Sequence, residues 1–175
     1  MTQVTNDTKV IQGVRVTVVH DVLFVNGVRG EDTFDWYAQD KNGNVCYFGE
    51  DTKEYDASGE NVISTQGSWQ SGKNGAQAGA IMLADPRPGD SYAQEDAPGV
   101  AEDQALGVSV SKSVVVQYGS FKNVLLTRET TPLEPGSVEN KYYAPNIGLI
   151  LDVAKKGGRV MAANHSRRTF LGAYA

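Results

Sequence analysis

The fold is decided by residues 14–26, VRVTVVHDVLFVN, together with residues 33–40, TFDWYAQD, and residues 44–55, NVCYFGEDTKEY. β-Branched and aromatic residues crowd the first two segments, and such side chains suit a pleated, half-buried surface. Asn26-Gly27 stands between the first and second segments, and Asn42-Gly43 between the second and third. Both pairs tolerate positive φ, as a two-residue hairpin turn requires. In the second segment Phe34, Trp36 and Ala38 share one face of a strand, and Asp35, Tyr37 and Gln39 share the other. The three segments therefore read as consecutive antiparallel strands.

Working outward, further strands are predicted over 61–69, 108–116, 121–129, 138–144, 148–153 and 159–163, with short ones over 80–84 and 91–94. No helical period extends beyond about two turns; a short helix fits 100–106. Residues 70–107 are rich in Gly, Ala, Pro and acids and read as a long irregular insertion. The predicted fold is all-β: a curved antiparallel meander forming a barrel or half-barrel. It occupies residues 1–163 as one domain, with 164–175 as a C-terminal tail. The length of 175 residues and the 40% hydrophobic content suit one such domain with a real core.

Composition excludes several classes. Apolar runs are too short for a membrane-spanning helix. A single cysteine, Cys46, cannot form an internal disulfide, and its strand setting reads as a small, half-buried residue. Residues 1–110 carry 17 acids and 7 bases, whereas residues 111–175 carry 4 acids and 9 bases. The acidic larger part argues against a nucleic-acid partner, which needs a basic footprint. The first residues lack the features of a signal peptide, so the chain as written is expected in the cytoplasm, or outside it if this is a mature or truncated form.

Two C-terminal motifs carry a resemblance: Gln117-Tyr118-Gly119-Ser120-Phe121, and Tyr142-Tyr143-Ala144-Pro145-Asn146-Ile147-Gly148-Leu149-Ile150. With residues 35–40 and 47–55 they resemble a group of bacterial envelope and secreted proteins of no assigned activity. Those proteins are built on a curved β-sheet, lipocalin-like or half-barrel. The likeness spans roughly residues 5–155 and implies an exported β-sheet protein with a further strand before this chain begins. Asn146 stands where the group often has glycine. Read alone, Gly119 and the residues 144–148 are devices that bend a sheet.

Acids crowd residues 31–60: Glu31, Asp32, Asp35, Asp40, Glu50, Asp51, Glu54, Asp56 and Glu60, against only Lys41 and Lys53. Antiparallel pairing would bring Asp35 near Glu50 or Asp51. Two carboxyls in a cavity can divide acid and base roles when burial splits their pKa values. The alternation favours a plainer expectation, a solvated outer face, because Asp35 lies opposite Phe34 and Trp36. That expectation fails only where the polar face lines a cavity, as in a ligand-holding barrel.

His20 shares a face with Val16, Val18, Val22 and Phe24, so it reads as packed in the core or facing a cavity. Glu139, Lys141 and Tyr143 share one face of a late strand, as cross-strand structural pairs or as polar ligand contacts. Asp40, Asn42 and Asn44 place oxygens at alternate positions around Gly43, a fragment of a calcium loop without its bidentate glutamate, and a hairpin turn explains the same residues. Two histidines and one cysteine make no zinc site, and no cofactor is expected.

The function expected first is non-catalytic binding of a hydrophobic or amphiphilic small molecule in the concave face. Phe34, Trp36, Trp69, Tyr142 and Tyr143 would give apolar contact, with His20 or Glu139 orienting the ligand. One alternative is a small cofactor-independent barrel enzyme, an isomerase, cyclase or hydrolase, using His20, Asp35 and Glu139 as acid-base groups. Another is a structural or assembly subunit that forms homo-oligomers through an open sheet edge.

Overall fold

The computed structural model describes residues 1–117, 119–156 and 159–164, and no helix occurs among them. Strands β1 (Thr2–Ile11), β2 (Val14–Val25), β3 (Val28–Gln39) and β4 (Val45–Tyr55) follow one another as antiparallel hairpins, extended by β5 (Val62–Ser64). Two short strands, β6 (Trp69–Gln70) and β7 (Gly79–Met82), also pair with β4. The later chain forms β8 (Ser91–Ala93), β9 (Gln104–Val116), β10 (Gly119–Thr130), β11 (Val138–Ala144), β12 (Gly148–Lys156) and β13 (Arg159–Asn164). These make a second antiparallel sheet in the order β13-β12-β11-β10-β9-β8. Neither sheet closes on itself, so the architecture is a curved half-barrel of two sheets.

Turn chemistry explains the register. Asn26 and Gly27 have φ of 53° and 82°, the paired positive values of a type I′ turn, and they join β2 to β3. Asn146, with φ of 59°, sits in the turn between β11 and β12. Asparagine is the residue besides glycine that enters this region most readily, which accounts for its presence there.

Three sequence expectations are corrected. The first strand, β1, is formed by TQVTNDTKVI, where no strand was expected, and it pairs with β2 through Gln12-Gly13. The short helix over 100–106 is absent; Gln104 onward is already β9. The strand expected over 61–69 is split into β5 and β6. The insertion at 70–107 is as irregular as expected, carrying only the short strands β7 and β8 before β9 begins. The predicted tail, 164–175, and the Tyr118 turn lie outside the described residues, apart from Asn164 at the end of β13.

There is no single core. Ile11, Val16, Trp36 and Phe48 cluster on one face of the first sheet. Val114, Val116, Val124, Ala144 and Ile150 pack within the second sheet. Tyr47, Trp69, Ala76, Ala97 and Ala101 fasten the 70–107 segment to β4. Burying large side chains here contributes about 1.5–3 kcal/mol each. Dividing them among three clusters leaves space between the sheets.

Candidate functional site

That space is a cavity of about 480 Å³, lined from one side by β1–β4 and β7 and from the other by β11 and β12. Its wall is unusual in charge. Asp21, Glu31, Asp35, Glu50, Glu95, Asp103 and Glu139 all line it, with Lys141 as the only lysine or arginine among the described residues. Val4, Val19, Val45, Ile81, Met82 and Leu149 supply apolar wall.

The face assignment follows from the strand period. Odd residues of β3, namely Glu31, Thr33, Asp35 and Tyr37, line the cavity. Even residues turn away, so the polar face is the inner one. On β4 this parity breaks at a β-bulge. Asp35 is paired with Glu50 but Tyr37 with Tyr47, so β4 spends one extra residue around Phe48 and Gly49. Gly49 has φ of 121°, a conformation L side chains rarely adopt. Across the bulge Tyr47 and Glu50 point to the same side, and the Tyr47 hydroxyl reaches both Asp35 and Glu50.

The Tyr47 hydroxyl lies 2.6 Å from Asp35 Oδ1 and 2.8 Å from Glu50 Oε2. A phenol has one proton to donate. With both carboxyls ionised, one oxyanion would face the phenol's lone pairs at hydrogen-bond distance. The geometry therefore requires a proton on one carboxyl, which donates to Tyr47 while Tyr47 donates to the other. Electrostatics agree. Burial, with the neighbouring acids adding to it, pushes Glu50 up to about 9. Burial likewise pushes Asp35 up to about 7, against the Tyr47 hydrogen bond. Glu95 rises to about 7, chiefly through burial and then Asp103, although the Trp69 indole N–H donates to it at 3.0 Å. Burial also raises Glu31 and Asp103. The ring of Tyr47 stacks on Tyr37 at 4.7 Å and meets Trp69 edge-on at 5.5 Å, which fixes the hydroxyl.

The second sheet contributes an ion pair. Lys141 Nζ lies 2.8 Å from Glu129 Oε2 and 3.4 Å from Glu139. Glu129 is 3% exposed. Its other oxygen accepts from Thr127 at 2.7 Å, Gln94 at 3.1 Å and Tyr143 at 3.2 Å. Burial alone would lower the Lys141 ammonium, but Glu129, Tyr143 and Glu139 together hold it well above its ordinary value.

Neither a family model, nor a curated protein, nor a solved structure matches the chain.

The sequence-predicted residues are scattered. Asp35, Glu139 and Tyr143 line the cavity. Phe34 and Trp36 lie on the opposite face of β3: Phe34 stacks on His20 with centroids 4.4 Å apart, and Trp36 packs in the Ile11 cluster. His20 pairs with Asp32 at 2.7 Å on that same outer face, so it is neither cavity-facing nor beside Asp35. Tyr142 packs against the Val124 cluster. Trp69 stands behind Tyr47 and orients Glu95. Asp40 spends both carboxylate oxygens on its own hairpin turn, accepting from the Asn42 and Asn44 amides and from Asn44 Nδ2 at 2.8–2.9 Å. Asn44 Oδ1 accepts from Ala84 N. Those oxygens are thus engaged without calcium, and no cluster of three metal-ligating side chains occurs among the described residues. The sequence marks Tyr47 only as an aromatic of a pocket or core, and Glu95 and Asp103 only as loop acids able to hold a cation at a rim; it marks Asp21 as no site residue at all. For Tyr47 and Glu50 the usable signal was Gly49 between them.

Proposed function

We propose that this protein binds a small amphiphilic molecule in the cavity between its sheets, with a cationic or proton-donating head group against Asp35, Tyr47, Glu50 and Glu95. The single observation behind this reading is the acid wall set beside apolar side chains. Seven carboxyls facing one lysine that is already paired leave unmet demand for positive charge. Protons meet that demand on the raised carboxyls, and a bound cation would displace them. The apolar part of the ligand would lie along Val4, Val19, Ile81, Met82 and Leu149.

Calorimetric titration with n-octylamine and with octanoate tests the reading. The amine is expected to bind saturably, the carboxylate not, and Asp35→Asn to weaken amine binding about tenfold, or ~1.4 kcal/mol. Equal binding of both probes, or of neither, would refute it.

One observation favours a second reading, acid-base catalysis. Tyr47 links two carboxyls of different proton affinity, with Asp35 as the base, Glu50 as the acid and Tyr47 relaying between them. His20, on the outer face, takes no part in it.

A further inference from the structure

A second cleft, of about 360 Å³, adjoins the first. Glu50 and Trp69 belong to its wall; Glu50 also lines the acidic cavity, so the two spaces share a partition. Two lysines and two acids line it. Lys9 reaches in from β1 with Nζ 3.2 Å above the centre of the Trp36 ring, and Lys73 comes from the turn after β6. No carboxylate among the described residues lies within ion-pair distance of either amine. Two acids border the cleft. Burial pushes the Glu50 carboxyl up to about 9, and Asp51 is largely exposed with Lys53 3.8 Å away. The Lys9 ammonium is held below its ordinary value, first by burial and then by the charge of Lys73, with Asp51 opposing. Two cations thus share one cleft with no carboxylate at ion-pair distance among the described residues, in a protein whose net charge is −5. The remaining wall is mixed, with Ser68, Gln70 and Asn74 beside Ala76, Ala97, Pro98 and Val100.

We propose that this cleft binds a small organic anion, a carboxylate or phosphate monoester, with its anionic group between Lys9 and Lys73 and its apolar part against Trp69 and Pro98. Ammonium groups over an aromatic face lose hydration, so an anion that replaces the lost water gains a charge-assisted contact. The volume suits a ligand of a few carbons rather than a chain segment. This site is independent of the amine reading of the neighbouring cavity.

The chain has two tryptophans, Trp36 and Trp69, and both line this cleft. Tryptophan fluorescence therefore reports on it, and because Trp69 also touches Tyr47 and Glu95, the lysine variants separate its response from that of the acidic cavity. Titrations with inorganic phosphate and with hexanoate, at ionic strength held constant with chloride, should give a saturable change for at least one anion. Saturation by phosphate only assigns the phosphate class, and by hexanoate only the carboxylate class. Lys9→Gln and Lys73→Gln, both at partly or fully exposed positions, should each weaken binding about tenfold or more. The proposal is overturned by no saturable change with either anion beyond about 1 mM. Unchanged affinity in the double variant would overturn it equally.

Discussion

Gly49→Ala is expected to cost the fold more than about 3 kcal/mol, enough to abolish the cooperative unfolding transition in a marginal domain. A Cβ at this position would stand 2.2 Å from the Trp69 carbonyl oxygen and 2.9 Å from Gln70 Cα. Both are backbone atoms of β6, which pairs with β4 at this point, so no side chain can swing aside. The φ of 121° adds strain of its own. Relief would require β6 to leave, which takes Trp69 from Tyr47 and opens the bulge that aims Tyr47 and Glu50 together. Gly75→Ala is the control. Its φ of 85° is also left-handed, but nothing lies within 4 Å of its Cβ position, so only the backbone term of about 1 kcal/mol applies. Urea denaturation of the two variants measures the difference; equal losses would show that the bulge does not depend on glycine.

Lys141→Met is expected to cost about 3–5 kcal/mol, because it leaves Glu129 charged and buried with its partner gone. Glu139, Asp103 and Asp152 also face this region, so the loss of the lysine raises repulsion as well. Adding Glu129→Gln should restore most of the stability. The glutamine oxygen can still accept from Thr127 and Tyr143, and no charge remains to be compensated. Denaturation of the two single variants and the double variant completes a cycle. A Lys141→Met protein as stable as the parent would mean that water already reaches Glu129.

The strand meander was legible in the sequence because its turns use Asn-Gly pairs and its strands alternate. The register of Asp35 opposite Glu50 was within reach for the same reason. Which face of β3 turns inward was not. Alternation separates Phe34 and Trp36 from Asp35 and Tyr37, but it does not say which set meets the second sheet. The usual rule, apolar inward, gave the wrong face here because Trp36 finds its own cover in Ile11, Val16 and Phe48. β1 escaped notice because TQVTNDTKVI mixes polar residues with few apolar ones, a pattern that becomes a strand only when β2 lies beside it. The contribution of Glu95 and Asp103 depends on the irregular path of 70–107, which no periodicity encodes.

The central feature of the site is a retained proton in the Asp35–Tyr47–Glu50 array. A carboxyl whose folded pKa exceeds its unfolded value stabilises the fold fully below about pH 4 and loses that contribution as pH rises through the folded value. Stability should thus decline with rising pH, through about 7 for Asp35 and about 9 for Glu50. The most direct measurement is a carbon-detected NMR titration of these two carboxyls, assigned with Asp35→Asn and Glu50→Gln. The expected result is one carboxyl still protonated at neutral pH, with the pair losing its protons in two steps near 7 and 9. Two carboxylates fully ionised by about pH 5, at the ordinary carboxyl range, would contradict it.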